Sequence, residues 1–219
     1  MRFSTLLPCL LSSLLSAQTL VYQSETEGVK TKTEWILDQT NPNALQITSL
    51  NPKEGDVKLQ YSSSYALQNY LEQQSPSSYL EIIKNVNAIV IKSKGEKGER
   101  LKSYSLGSTP WIQEFKFGFK SFLQSQEKEC SFYVVNPKDL KIHEMIAIKQ
   151  GQESIDVEGK TYQAQKVLIT LKGFLQRKFW RAHVWFDQTT RWLVKYTANQ
   201  GPGTPYTTTT LISSNQSES

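Results

Sequence analysis

Apolar and polar residues alternate with a period of two along most of this chain, and sustained 3.6-residue periodicity is scarce. Because successive side chains of a strand point to opposite faces, this pattern predicts a mainly β protein. Predicted strands are Val29–Gln39, Ala44–Leu50, Val57–Tyr61, Ile82–Ser93, Leu101–Ser105, Ser131–Val135, Leu140–Lys149, Tyr162–Leu171, Lys178–Asp187, Trp192–Thr197 and Tyr206–Ile212. Turn formers such as Asn41-Pro42, Asn136-Pro137, Glu158-Gly159 and Gly201-Pro202-Gly203 separate them. Two segments fit a helix. Ser64–Gln74 groups Leu67, Tyr70 and Leu71, although Tyr61, Ser63, Tyr65 and Leu67 also alternate as a strand would; Gly118–Ser125 groups Phe119, Phe122 and Leu123.

The C-terminal meander allows a register to be proposed. If Phe186 pairs with Trp192, Val184 faces Val194 and Ala182 faces Tyr196 on an apolar side, while His183 faces Lys195 and Arg181 faces Thr197 on the other. Trp185 and Leu193 then share the face opposite Trp192. Carried backwards, Val167, Ile169 and Leu171 face Val184, Ala182 and Trp180. Asp187–Arg191 has the length of a hairpin turn, with Asp187 capping backbone amides.

Residues 1–17 depart from this pattern. One Arg, an apolar run from Leu6 to Leu15 and a small-residue exit at Ser16-Ala17 read as an export signal, too short for a membrane span. The domain reading is therefore a signal peptide over 1–17, a single β-rich domain over 18–211 and a disordered tail over 212–219. It implies a periplasmic or secreted location after cleavage near Ala17, with no membrane span left. Without Arg2 the chain carries 24 basic against 20 acidic residues, a mild +4 that excludes a nucleic-acid binder. Cleavage also removes Cys9, leaving Cys130 without a disulfide partner and reading as a small core residue.

The succession GKTYQAQKVLITLKG, FWRAHVWFDQTTRWLVKY and GPGTP resembles uncharacterised bacterial periplasmic proteins with a fold similar to the half-barrel of the LolA and LppX carriers. The resemblance is sharpest over Val157–Leu211. It implies a curved antiparallel sheet with one or two short helices and an interior able to hold a lipid or other apolar ligand. It carries no catalytic residue.

The chemistry in the sequence agrees with a non-enzyme. No G-x-S-x-G, P-loop, G-x-G-x-x-G or HExxH motif occurs, and His143 and His183 read as polar strand residues, so neither metal nor cofactor is implied. Candidate ligand-binding residues are Trp180, Trp185 and Trp192 for stacking, with Lys172, Arg177, Lys178 and Arg181 for anionic groups. The second basic cluster, Lys92–Lys102, alternates with Glu96 and Glu99 around Gly95 and Gly98 and reads as a solvated hairpin tip. The expected function is an exported binding or envelope-structural protein. The rivals are a hydrolase using carboxylates among Glu144, Glu153, Asp156, Glu158 and Asp187, and a protein that binds a partner through an exposed strand edge.

Overall fold

A computed structural model describes residues 17–50, 55–96, 98–173, 180–199 and 204–216. Eight strands precede residue 106: β1 (Ala17–Thr26), β2 (Val29–Asp38), β3 (Ala44–Leu50), β4 (Asp56–Ser62), β5 (Leu67–Ser75), β6 (Ser78–Lys84), β7 (Ala88–Gly95) and β8 (Gly98–Ser105). A short helix, α1 (Lys120–Gln124), follows. Six more strands complete the chain: β9 (Glu129–Val135), β10 (Ile142–Val157), β11 (Lys160–Leu171), β12 (Arg181–Asp187), β13 (Leu193–Asn199) and β14 (Tyr206–Gln216). All fourteen form one antiparallel sheet in the order β8-β7-β6-β5-β4-β3-β2-β1-β14-β13-β12-β11-β10-β9, not closed into a barrel. Two up-and-down meanders are thus spliced where the first and last strands pair. No helix among the described residues is long and apolar enough to cross a membrane.

The inward face follows from the alternation. Leu20 and Tyr22, Trp35 and Leu37, Leu45 and Ile47, Ile89 and Ile91, and Val167 and Ile169 are buried at every second position. Tight turns join several hairpins; Glu27-Gly28 and Glu158-Gly159 both hold two successive residues at positive φ, as two-residue hairpins require. The Lys92–Lys102 cluster does flank a hairpin, β7–β8, with Gly95 opposite Gly98.

The connection from β8 to β9 fills the space that the sheet encloses. Trp111, Ile112, Phe117, Phe119, Phe122 and Leu123 are all buried there. Phe119 lies among Phe132, Phe186, Phe115 and Phe122 at centroid distances of 5.1, 5.8, 5.8 and 6.5 Å; Phe117 contacts Trp35 and Trp192 at 5.2 and 5.7 Å. This segment is an internal plug that fills much of the apolar interior with the chain's own aromatic side chains.

The plug also substitutes for the missing ladder between β8 and β9. Tyr133 exchanges backbone hydrogen bonds with Pro110 and Ile112. The Gln113 carboxamide then acts as a further peptide group, donating to the Val135 carbonyl and accepting from its N–H, both at 3.0 Å. Farther along the seam, Arg100 and Lys102 of β8 donate to the carbonyls of Lys138 and Asp139 at 3.1 and 2.8 Å.

Several expectations need correction. Ser64–Gln74 is not a helix; its larger part is strand β5. The predicted Ile82–Ser93 strand is two strands, turning at residues 85–87. Val167 and Ile169 face Val184 and Ala182 as expected. The β12–β13 register differs throughout: Phe186 pairs with Leu193, Trp185 with Lys195, Val184 with Tyr196, His183 with Thr197 and Ala182 with Ala198. A bulge at Val194 shifts the strand by one residue and turns Leu193 inward, away from Trp185's face. The described β11–β12 ladder ends at Thr170 and Arg181. The tail expected from residue 212 continues β14 to Gln216, held by backbone pairing with β1 down to Gln18.

Candidate functional site

The plug leaves one apolar hollow at its margin. Where β4 turns into β5, the chain from Tyr61 to Leu67 stands opposite the start of the plug, Pro110–Ile112, with α1 and the first residues of β9 closing the sides. Together they bound a cleft of about 340 Å³, near the lower end of small-molecule sites. Leu67, Trp111, Ile112 and Phe122 supply buried apolar walls, and Tyr65, Ala66 and Cys130 the half-exposed ones. Tyr61 contributes a buried hydroxyl that has no hydrogen-bond partner among the described residues.

Local sequence explains this geometry. At Tyr65 the backbone takes a positive φ of 59°, and a tight β4–β5 turn is closed by the Ser62 N–H donating to the Ala66 carbonyl and the Tyr65 N–H to the Ser62 carbonyl, both at 2.9 Å. Ser121 of α1 donates to the Ser64 carbonyl at 2.7 Å, pinning that turn to the helix. Gly118 permits the close approach of Ile112, because a Cβ there would lie 2.4 Å from Ile112 Cγ2.

Two lysines are tied to residues of the wall. Lys120 Nζ donates to Tyr65 Oη at 2.8 Å and lies 4.8 Å from the Trp192 ring centroid. Lys149 Nζ donates to the Ser125 carbonyl at 2.7 Å and lies 4.7 Å from the Phe122 centroid. Lys84, Glu127 and Glu129 belong to the wall itself. Burial pulls the Lys149 pKa below its ordinary value, with help from the positive charge of Arg191, against a smaller opposing effect of Glu127. Burial pushes up the Cys130 thiol, so this wall residue is a poor thiolate.

Deeper inside, Glu114 accepts from Lys116 Nζ at 3.1 Å, and Lys116 sits 5.1 Å from the Trp35 ring centroid. Burial and, behind it, the Glu114 charge raise the pKa of Tyr22, Tyr61 and Tyr196, the last to about 12. Two hollows of about 280 and 260 Å³ flank this pair, and both have polar linings. A wider groove of about 930 Å³ at the β7–β8 tip is lined by Ser75, Ser77, Ser78, Lys94 and Arg100 and offers little to an apolar ligand.

The structure disperses the residues singled out from sequence. Trp192 is buried against Phe117 and touches the cleft's surroundings only through Lys120. Trp185 stands on the outer face, its indole N–H donating to Glu153 and its ring centroid 5.1 and 5.4 Å from Lys166 and Lys195. Trp180 is half-buried, its carbonyl accepting from Thr170 at 2.8 Å. Lys172 pairs with Glu144 at 2.5 Å, and the Arg181 side chain is exposed. Arg177 and Lys178 lie outside the described residues. Sequence reasoning missed Lys120, whose only signal was its place between Phe119 and Phe122, and Lys149, which carried none.

Four of the five carboxylates of the hydrolase reading are each engaged separately, and the fifth, Glu158, is an exposed turn residue. Glu144 holds Lys172, Glu153 holds Trp185 and Lys166, and Asp156 accepts from Thr161. Asp187 caps its own turn, accepting from the N–H and hydroxyl of Thr190 at 2.8 Å each, as expected. None of the four lines the cleft. Among the described residues no group of three His, Cys, Asp or Glu side chains is placed to hold a metal ion.

No family model and no curated protein matches the sequence. The fold is similar to that of a β-barrel-like protein of the domain of unknown function DUF1849 from Brucella abortus, with a TM-score of 0.63 at 8% identity, covering 94% of this chain and 99% of that one. Looser matches are the hypothetical lipoprotein YmcC from Escherichia coli (TM-score 0.38, 10% identity, 88% and 85% covered) and a candidate outer membrane lipoprotein-sorting protein domain from Vibrio parahaemolyticus (0.29, 9%, 92% and 86%). The resemblance drawn from Val157–Leu211 therefore holds at the level of the fold, which is similar to that of the Brucella β-barrel-like protein.

Proposed function

We propose that this protein is an exported, non-catalytic binding protein of the bacterial envelope that holds an apolar moiety in the cleft between the β4–β5 turn and the plug. The observation that carries this reading is the cleft itself: about 340 Å³ walled by Leu67, Trp111, Ile112 and Phe122 at the margin of an interior otherwise filled by aromatic side chains. The apolar surface that Tyr65, Ala66 and Cys130 leave half-exposed in the hollow forgoes burial worth about 25 cal/mol per Å², which an apolar ligand would recover. The leader supports export, and its removal leaves the β1 pairing intact from Gln18 onward.

Native mass spectrometry of the mature protein from its own host, followed by organic extraction, tests this reading. The expected result is a co-purifying apolar species that is absent from Ala66→Trp, whose indole would fill the cleft from a half-exposed position. A ligand-free mass for the wild-type protein, together with no uptake of added alkyl chains, would overturn it.

A further inference from the structure

More positive charge is tied to the walls of the cleft than the fold neutralises. Lys120 and Lys149 are fixed to wall residues by their hydrogen bonds to Tyr65 and Ser125, and Lys84 is a wall residue. Among the described residues none of these three, nor Arg191 beside Lys149, has a carboxylate oxygen within 4.0 Å. The acids nearby are Glu127 and Glu129, both exposed and engaged by no cation at that distance. Lys128 is also exposed.

Both inner ammonium groups are therefore half-withdrawn from water, with one carbonyl or hydroxyl partner each and aromatic rings beneath them. Ring faces and neutral oxygens offset only part of the lost hydration, and an anion would complete the set with charge-assisted hydrogen bonds. Apolar walls on one side and unneutralised ammonium groups on the other match a molecule with the same division.

We propose that the occupant of the cleft is a single-chain amphiphile with an anionic head, its chain between Leu67, Ile112 and Phe122 and its head at Lys120 and Lys149. This rests on the binding reading above and adds the class of ligand. The volume suits one chain, and the recognised chemistry is a terminal carboxylate or phosphate.

Titration calorimetry on the mature protein with dodecanoate, dodecyl phosphate, dodecanol and dodecyltrimethylammonium separates the possibilities. The two anions are expected to bind at least tenfold more tightly than dodecanol, and the cation more weakly than dodecanol. Lys149→Met and Lys120→Met each lower dodecanoate affinity about tenfold, the scale of one hydrogen bond to a charged group, and Lys149→Arg recovers most of that loss. Which anion binds better distinguishes carboxylate from phosphate recognition. Equal affinity for dodecanoate and dodecanol, or tighter binding of the cation, overturns the anionic head while leaving an apolar cleft. Failure of all four probes overturns the cleft reading itself. Thermal unfolding of each Lys variant confirms that it is folded before its affinity is read.

Discussion

Truncating Phe119 to Ala tests whether the plug is an integral part of the core. Phe119 is 1% exposed, and four rings surround it at 5.1 to 6.5 Å, drawn from the plug itself and from β9 and β12. Transfer of the lost side chain accounts for about 2 to 3 kcal/mol. The cavity left among rings on three separate elements brings the cost of such substitutions to about 3 to 5 kcal/mol. With a urea slope of about 2 to 3 kcal/mol/M for a chain of this size, the midpoint falls by about 1.5 M. Equilibrium unfolding followed by both far-UV circular dichroism and Trp fluorescence measures this. Leu101→Ala, at a position 70% exposed on β8, serves as the control and changes stability by no more than about 0.5 kcal/mol. A loss under about 1 kcal/mol for Phe119→Ala, or a Trp signal that separates from the strand signal, would show that the sheet folds without its plug.

Other expectations are as direct. Gly118→Ala drives a methyl into Ile112 and lowers stability by about 1 to 3 kcal/mol, visible as a drop in Tm. Gln113→Leu leaves the Val135 N–H and carbonyl without their carboxamide partner, at about 1 to 3 kcal/mol, and hydrogen exchange at the Val135 amide should accelerate. Burial, then the charges of Lys166 and Arg181, lower the His183 pKa. Its neutral form therefore stabilises the fold above about pH 6.5, and that contribution is lost as pH falls through the lower folded value. Urea midpoints from pH 7.5 to 5 should accordingly decline less in His183→Gln than in wild type.

The residue pattern revealed the sheet but not its bulges. Leu67 and Tyr70 are spaced three apart as on a helix, yet both point inward from β5. Tyr61 pairs with Leu67 and Gln60 with Asn69, so Gln68 is an extra residue that resets the alternation. The same event at Val194 adds a further residue to a β12–β13 register that is already one residue off at Phe186. A strict period-2 reading cannot register one inserted residue. β1 was hidden for another reason: it begins at Ala17, where the leader pattern ends, and only Leu20 and Tyr22 mark its buried face.

Less of the site was legible. The phenylalanines of Gly118–Ser125 announced a buried helix, and α1 lies there. Nothing local stated that this segment would occupy the interior, because that depends on the pairing of β1 with β14, residues nearly 200 positions apart. The cleft draws on the β4–β5 turn, the plug and β9, and no window of sequence contains all three. Trp185, conspicuous in sequence, stands instead on the outer face beside Glu153, Lys166 and Lys195.

The central claim is that the chain's own plug fills the interior and confines a ligand to the end cleft. A crystal structure with 12-bromododecanoate, read from the anomalous signal of bromine, tests it most directly. The account expects one bromine peak among Leu67, Ile112 and Phe122, with the carboxylate beside Lys120 and Lys149. A peak within the space now occupied by Phe117 and Phe119, with the plug displaced, would contradict it, as would a fully soaked crystal with no bromine in the cleft.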